Sequence, residues 1–324
     1  MKKILITGGA GNIAGSLANK LVQSKENYYV VIVDNLSTGS VNKLPPASFH
    51  NWRFIKADVN NFNDISSIMV SYQFDYVFHY AAVVGVKRTL ENPVNVLRDI
   101  DGIKNILELS KNTGVRRVFY SSSSEVYGEP VSMPQHEDTT PLNSRLPYAI
   151  VKNVGEAFFR SYEKEYGLNY TIFRFFNTYG PRQSEDFVLP KFLQAAYANK
   201  DITLYGDGLQ TRTFCYVDDN IDTTIKTMES NEALNDTINV GSDKEITILD
   251  LAKLIIRLTG SSSKIIHLPP LMEGDMTRRL PDTRKMKEII NRPLISLEEG
   301  IKMMIKAKPN FKENHISLTQ LNVD

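Results

Sequence analysis

Tyr148 and Lys152 are the residues whose types and spacing most directly suggest chemistry. They stand four apart in "PYAIVK", and residues four apart lie on one face of a helix. A phenol with its ordinary pKa of about 10 is a poor base at neutral pH, but an adjacent ammonium favours the phenolate. The pair therefore predicts a general base assisted by a cation. Such a pair also arises by chance, so other features of the sequence have to support this interpretation.

Four consecutive serines, 121–124, are the second chemical feature. They follow the apolar run "RRVFY" and begin the stretch "SSSSEVYGEP". One interpretation is a strand that simply stops at a polar turn. The other is that one hydroxyl orients a substrate hydroxyl for the tyrosine. The run alone does not decide which serine that is.

A glycine turn near the N-terminus is the third feature, and it bears on the interpretation of Tyr148 and Lys152. "ILITGGAGNIAGSLANKL" reads as strand, turn and helix, in which Gly8 and Gly11 allow close approach of a pyrophosphate and Ala14 takes the helix-packing position. The helix N-terminus would offer free N–H groups to the phosphates. Asp34 ends the next apolar run, about 20 residues further on, where a carboxylate binds an adenosine ribose. These features predict a dinucleotide site that prefers NAD, because an acid there disfavours a 2′-phosphate.

The elements that must position these residues alternate between strand and helix. Six apolar runs, 3–7, 28–34, 53–58, 76–81, 116–122 and 170–177, read as strands buried on both faces, with helical patterns such as 94–114 and 147–166 between them. This alternation predicts an α/β fold with a doubly wound parallel sheet. We predict an NAD-binding Rossmann domain over 1–178 to which 212–242 return, a substrate-binding lobe over 179–307, mainly 179–211 and 243–307, and a mobile tail over 308–324.

Composition narrows the possible partners. The formal net charge of the 324 residues is +1, which gives no basic surplus for a nucleic acid or an anionic membrane. The single cysteine, Cys215, excludes an intramolecular disulfide, and the five histidines have no metal-site spacing. Glycines interrupt the apolar run after "MKK", and no run reaches the roughly 18 apolar residues of a membrane span. We therefore expect a cytoplasmic protein without a metal.

The sequence blocks, in their order, resemble those of a known family. They are "TGGAGNIAG", "VDNLSTG", "ADV" at 57–59, "HYAA" at 79–82, "SSSSEVYG", "PYAIVK", "RFFNTYGPRQ", "GDGLQTRTFCYVDD" and "RRLPDTRK". Together they are similar to the extended short-chain dehydrogenase/reductase family, in its branch of nucleotide-sugar epimerases, dehydratases and decarboxylases. Within that branch the chain most resembles UDP-hexose or UDP-N-acetylhexosamine 4-epimerases. The resemblance covers nearly the whole chain.

The resemblance implies roles for individual residues. Ser123, Tyr148 and Lys152 would be catalytic, and Ser124 and Glu125 would modify the reaction. The implied cofactor contacts are Gly8, Gly11, Asn12, Ile13, Asp34, Asn35, Ser37, Asp58, Val59, Ala81, Ala82, Tyr148 and Lys152, with Tyr127 as a further candidate. The implied substrate contacts are Lys87, Ser123, Asn177, Arg212, Arg278 and Arg279. His79 would be a strand-end residue near the cofactor.

The residues after Ser123 bear on the type of reaction. The 4,6-dehydratases of the family carry Asp-Glu where this chain has Ser124 and Glu125, so dehydration is not favoured. UDP-glucuronate decarboxylases carry Ser-Glu and an arginine resembling Arg279, which could pair with a uronic carboxylate. However, "PYAIVKNVGE" and residues 85–107 resemble epimerases.

The main prediction is therefore an NAD-dependent UDP-sugar 4-epimerase. The alternative is a decarboxylase or another UDP-uronate-modifying enzyme of the family. Uronate epimerases have Thr where Asn177 stands, which puts an ordinary uronate epimerase in doubt. A non-enzymatic NAD sensor is disfavoured, since it need not keep the Tyr148–Lys152 pair. The resemblance also implies a homodimer in which helices at 94–113 and 148–166 form a four-helix interface.

Overall fold

A computed structural model of the protein describes residues 1–269 and 278–307, except for the side chains of Val86, Lys87 and Leu90. The strands are β1 (Lys2–Thr7), β2 (Tyr28–Asp34), β3 (Trp52–Lys56), β4 (Tyr76–His79), β5 (Arg117–Ser123), β6 (Tyr170–Phe175), β7 (Thr178–Tyr179), β8 (Ile202–Tyr205), β9 (Thr211–Thr213), β10 (Cys215–Tyr216), β11 (Asp236–Val240), β12 (Glu245–Thr247) and β13 (Ile265–Leu268). The helices are α1 (Asn12–Val22), α2 (Phe62–Tyr72), α3 (Val86–Glu91), α4 (Pro93–Leu97), α5 (Asp99–Thr113), α6 (Pro147–Tyr166), α7 (Val188–Tyr197), α8 (Val217–Glu229), α9 (Ile248–Thr259), α10 (Arg284–Ile290) and α11 (Leu297–Lys306).

A seven-stranded sheet forms the centre of the molecule, in the order β11-β6-β5-β4-β1-β2-β3. All its pairings are parallel. Successive residues of β1 point to opposite faces, yet Ile4, Leu5 and Ile6 are all fully buried, because helices cover both sides. The strand order reverses between β1 and β4, and such a switch point opens a crevice at the carboxyl ends of the strands. The predicted doubly wound α/β fold is confirmed.

The predicted elements appear with small differences. All six apolar runs form strands, while β11 comes from the returning segment 212–242 and has no counterpart among the predicted strands. The predicted helix over 94–114 is divided into α4 and α5, and α5 ends at Gly114, whose φ is 74°. Helix α6 ends at Gly167 with φ 69°, as its sequence predicts.

The C-terminal part carries small sheets and short helices beside the large sheet. Strand β13 pairs with β8, β12 with β9, and β10 with β7. The division into two lobes stays a prediction, and the predicted tail over 308–324 lies outside the described residues. None of the described helices has the length and apolar character needed to cross a membrane.

Candidate active site

The glycine turn after β1 has the shape that a dinucleotide phosphate requires. Gly8 has φ of 70°, and a Cβ there would lie 2.8 Å from the backbone of Ala81. Gly11 is the N-cap of α1, and no side chain caps the first turn. The Oδ1 atom of Asn12 is buried without a partner in the described part of the chain. An uncapped helix N-terminus beside a glycine turn fits the pyrophosphate of NAD.

Asp34 lies beside this turn at the end of β2. Its carboxylate accepts hydrogen bonds from the backbone N–H groups of Ala10 (3.0 Å) and Leu36 (2.8 Å). Each oxygen retains a lone pair that a ribose hydroxyl could use. Other predicted cofactor residues lie at the same carboxyl edge of the sheet, directly after β1, β2, β3 or β4: Asn12, Ile13, Asn35, Ser37, Asp58, Val59, Ala81 and Ala82. Their contacts with a cofactor stay predictions.

The predicted catalytic residues come together where β5 meets α6. Ser123 ends β5, Tyr148 lies in the first turn of α6, and the Ser123 hydroxyl lies close enough to the phenol to lower its pKa. Lys152 is one turn further along α6 and only 3% exposed. Its Nζ lies 3.4 Å from the Oγ of Ser121 and 5.7 Å from the centroid of the Tyr148 ring. Ser124, by contrast, is buried in the 3₁₀ turn that follows β5.

The pKa of Tyr148 differs from the sequence-based expectation. Packing around its hydroxyl, and then the carboxylate of Glu125, raise the pKa of the phenol above its ordinary value, although the Ser123 hydrogen bond and Arg279 lower it. Burial and Glu125 therefore oppose the lowering that the sequence predicts from Lys152 and a bound nicotinamide. Burial also lowers the pKa of Lys152 to about 8, with Asp99 opposing the shift.

Asp99 is a buried carboxylate that sequence reasoning missed. It is 8% exposed at the start of α5 and accepts hydrogen bonds from the backbone N–H of Val83 (2.7 Å) and from the Nδ2 of Asn60 (3.4 Å). Burial raises the pKa of Asp99, while these donors and the charge of Lys152 oppose the shift. A sequence signal was present, because Asp99 stands four residues before the buried Ile103 on the apolar face of its helix.

Glu125 and Arg279 form an ion pair next to Tyr148. The Oε1 of Glu125 and the Nη2 of Arg279 are 2.7 Å apart, and the two side chains are 15% and 9% exposed. In the described part of the chain, the Oε2 of Glu125 and the Nε of Arg279 have no hydrogen-bond partner. Arg278 turns away and forms a fork with Glu245, at 2.7 and 2.5 Å. Of the two arginines, Arg279 is thus the one beside the catalytic tyrosine.

Two other predicted substrate residues, Asn177 and Arg212, form hydrogen bonds at strand β9. Asn177 donates from Nδ2 to the carbonyl of Thr213 (3.3 Å), and the buried Arg212 donates to the carbonyl of Thr211 (2.7 Å). Arg212 thus lies in strand β9 and Asn177 bonds to that strand, and their roles toward a substrate stay predictions. The side chain of Lys87 lies outside the described residues.

Two further residues have structural partners. The Nδ1 of His79 lies 3.0 Å from the Oγ1 of Thr7, and burial and then Lys152 lower the pKa of His79 to about 3, so its ring stays neutral. Tyr127, the further cofactor candidate, is 1% exposed, and its hydroxyl bonds to Arg174 and Asn239. Its contact with a cofactor stays a prediction.

Comparisons with known proteins agree with this geometry. The model of the NAD dependent epimerase/dehydratase family matches residues 4–241. A UDP-N-acetyl-alpha-D-glucosaminuronate decarboxylase of Bacillus cytotoxicus is 38% identical over 94% of this chain and 97% of its own. A putative UDP-glucose 4-epimerase of Methanocaldococcus jannaschii is 34% identical over 95% and 98%. The crystal structure of a Thermotoga maritima UDP-glucose 4-epimerase with UDP-glucose superposes with a TM-score of 0.87 at 32% identity, covering 94% of this chain and 97% of that one.

Proposed function

Because the chain belongs to the NAD dependent epimerase/dehydratase family, we propose that it is an NAD-retaining enzyme that inverts C4 of a UDP-linked sugar through a 4-keto intermediate. One observation carries the proposal. The hydroxyls of Ser123 and Tyr148 come together at the carboxyl edge of the sheet, with the buried Lys152 one helical turn away. A protein that only sensed NAD would not need this arrangement of phenol, hydroxyl and ammonium.

Several residues would hold the cofactor. The uncapped first turn of α1 after Gly11 would bind the pyrophosphate, Asp34 the adenosine ribose, and Lys152 the nicotinamide ribose. The chemistry that NAD supplies when bound is reversible uptake of the hydride from C4 of the sugar. The residues of this chain would have to remove the proton of the sugar 4-hydroxyl that is lost together with this hydride.

Tyr148 would take that proton from the sugar 4-hydroxyl. Ser123, which lies next to Tyr148, would orient this sugar hydroxyl. Glu125 holds the pKa of the phenol high, whereas Ser123 and Arg279 act in the opposite direction. The Glu125–Arg279 pair therefore adjusts the basicity of Tyr148 as well as bordering the sugar.

A neutral sugar is consistent with that ion pair. The charge of Arg279 is compensated by Glu125 at 2.7 Å, so the pair as a whole is neutral. A hexose or N-acetylhexosamine would not have to displace Glu125 from the guanidinium. This supports the epimerase proposal, as does the similarity to the two 4-epimerases.

A second candidate is decarboxylation of a UDP-uronate. The buried Nε of Arg279, which lacks a partner in the described part of the chain, could receive a uronic carboxylate. Oxidation at C4 makes such a carboxylate a β-keto acid, which loses carbon dioxide readily. The 38% identity to a glucosaminuronate decarboxylase favours this candidate too.

One experiment tests both candidates. The protein is incubated with NAD and, separately, UDP-glucose, UDP-N-acetylglucosamine, UDP-glucuronate and UDP-N-acetylglucosaminuronate, and anomeric protons are followed by NMR. We expect a C4 epimer with an unchanged number of carbons. A UDP-pentose with release of carbon dioxide would instead establish the second candidate, and no product from any of the four would contradict both.

Two variants sharpen this result. In an epimerase, Glu125→Gln should lower the rate modestly and leave a six-carbon product. In a decarboxylase, Glu125→Gln should stop the release of carbon dioxide. Glu129→Gln is the matched control, because this exposed acid lies four residues further along the chain.

We also propose a homodimer formed through the outer faces of α4, α5 and α6. Val94, Leu97 and Ile150 are 67%, 44% and 42% exposed there. Burying such side chains against a second copy would remove apolar area from water. We expect a dimeric mass by light scattering at micromolar concentration and a monomeric mass for Ile150→Glu. A monomeric wild type would contradict the proposal.

A further inference from the structure

The hydroxyl of Tyr127 is enclosed in a polar network that the proposed chemistry does not use. The side chain is 1% exposed and follows Glu125 in the same 3₁₀ turn. Its oxygen accepts a hydrogen bond from the Nη1 of Arg174 (2.9 Å) and donates one to the Oδ1 of Asn239 (2.7 Å). A phenol with both a donor and an acceptor at good distance is fixed in position.

One side of the network leads to the catalytic helix. Arg174 forms a fork with Glu156, at 2.9 and 2.7 Å, and the Oγ of Ser122 donates to the same carboxylate at 2.6 Å. Glu156 lies on α6, one turn after Lys152, and is fully buried. Ser122 directly precedes Ser123. Through Arg174, therefore, Tyr127 is tied to both elements that carry the catalytic residues.

The other side leads to Arg279. The Nδ2 of Asn239 donates to the carbonyl of Gln135 (2.8 Å), and the backbone N–H of Gln135 donates to the carbonyl of Leu280 (2.7 Å). The backbone N–H of Asp282 donates to the carbonyl of Gln135 (2.8 Å). Leu280 directly follows Arg279, so the segment that carries the guanidinium is held in register by this chain of bonds.

The contacts close into a ring, because Arg279 pairs with Glu125, two residues before Tyr127. We propose that the Tyr127 hydroxyl is a positioning group that holds Arg279 against Glu125 and so sets the sugar end of the site. The identity of that end as the sugar-binding one rests on the proposed function. The positioning itself rests on the bonds above. Removing the hydroxyl would leave the Oδ1 of Asn239 and one N–H of Arg174 buried without their partner, and Asn239 could then shift.

Tyr127→Phe tests the proposal, with Tyr179→Phe as the matched control. Tyr179 is also 1% exposed, and its hydroxyl donates to the carbonyl of Leu297 (3.3 Å), outside the ring. Calorimetry with the NAD-loaded protein would compare UDP, UDP-glucose and UDP-glucuronate. We expect Tyr127→Phe alone to weaken binding of at least one UDP-sugar by about five- to tenfold, with the affinities for UDP and NAD unchanged. UDP-sugar affinities equal to those of the control would overturn the proposal.

A second measurement needs no substrate and so stands even if the proposed function fails. The melting temperatures of Tyr127→Phe, Arg279→Lys and the double variant form a double-mutant cycle. If Tyr127 acts through Arg279, the double variant should lose less than the sum of the two single losses. Additive losses, as we expect for Tyr179→Phe combined with Arg279→Lys, would show that the ring does not couple the two residues.

Discussion

The phosphate turn and the Glu125–Arg279 pair are built in opposite ways. Residues 8–15 form their site from consecutive backbone groups, with Gly8 against Ala81 and an uncapped helix after Gly11. Glu125 and Arg279 come from distant parts of the chain and meet at 2.7 Å with most of their surface buried. The first site has a geometry that the local sequence dictates. The second depends on charges that only the complete fold brings together, so substitutions in the two regions should have different consequences.

The largest expected effect lies between the two regions, at the phenol itself. Tyr148→Phe removes the proposed base and one hydroxyl, so turnover of a UDP-sugar should fall about 10²–10⁴-fold. NAD affinity should be nearly unchanged, since the ring still packs on α6. Steady-state kinetics and calorimetry measure the two quantities. Residual activity within threefold of wild type would exclude Tyr148 as the base.

Gly8→Ala should damage the backbone-built region most strongly. Its Cβ would lie 2.8 Å from the backbone of Ala81, in a left-handed conformation with φ of 70°. Gly114→Ala is the control, since its φ is 74° but no described atom lies within 4 Å of the added carbon. We expect the left-handed conformation to lower the free energy of unfolding of both variants by about 1–2 kcal/mol. Overpacking should lower that of Gly8→Ala by about 1–3 kcal/mol more. Equal free energies of unfolding in urea would argue against a tight turn.

Asp34→Ala tests the carboxylate that lies beside the phosphate turn. It removes the acceptor expected to bind the adenosine ribose and frees the N–H groups of Ala10 and Leu36. NAD affinity should fall about tenfold or more, as for a lost hydrogen bond to a charged group. Calorimetry with NAD measures the loss. An unchanged dissociation constant would show that the ribose is held elsewhere.

The smallest expected effect is a change in pH dependence when Asp99 loses its charge. Protonated Lys152 favours the phenolate, so kcat/KM should fall as the pH rises through the Lys152 pKa of about 8. Asp99 stabilises this ammonium, and Asp99→Asn should lower the Lys152 pKa further. The alkaline limb should then move to lower pH by up to about one unit. Asp101→Asn, at an exposed position of the same helix, should leave the profile unchanged. If the alkaline limb does not move in Asp99→Asn, Asp99 does not influence the pKa of Lys152.

The sequence by itself determined the fold class and the local parts of the site. Apolar runs of strand length gave the six predicted strands, because strands buried on both faces of a parallel sheet are mostly apolar. Gly8, Gly11 and Asp34 could be placed because a turn, a helix start and a strand end are properties of neighbouring residues. Tyr148 and Lys152 could be placed together because helical spacing is local too.

Only the tertiary structure decided the electrostatics around that pair. Burial and Glu125 raise the pKa of Tyr148 against the lowering expected from Lys152, and Asp99 comes near Lys152 because α5 packs beside α6. The same holds for the partner of Arg279 and for the interior position of Tyr127. Coulombic and desolvation energies depend on distances and burial across the whole fold, and spacing along the chain does not encode either of them.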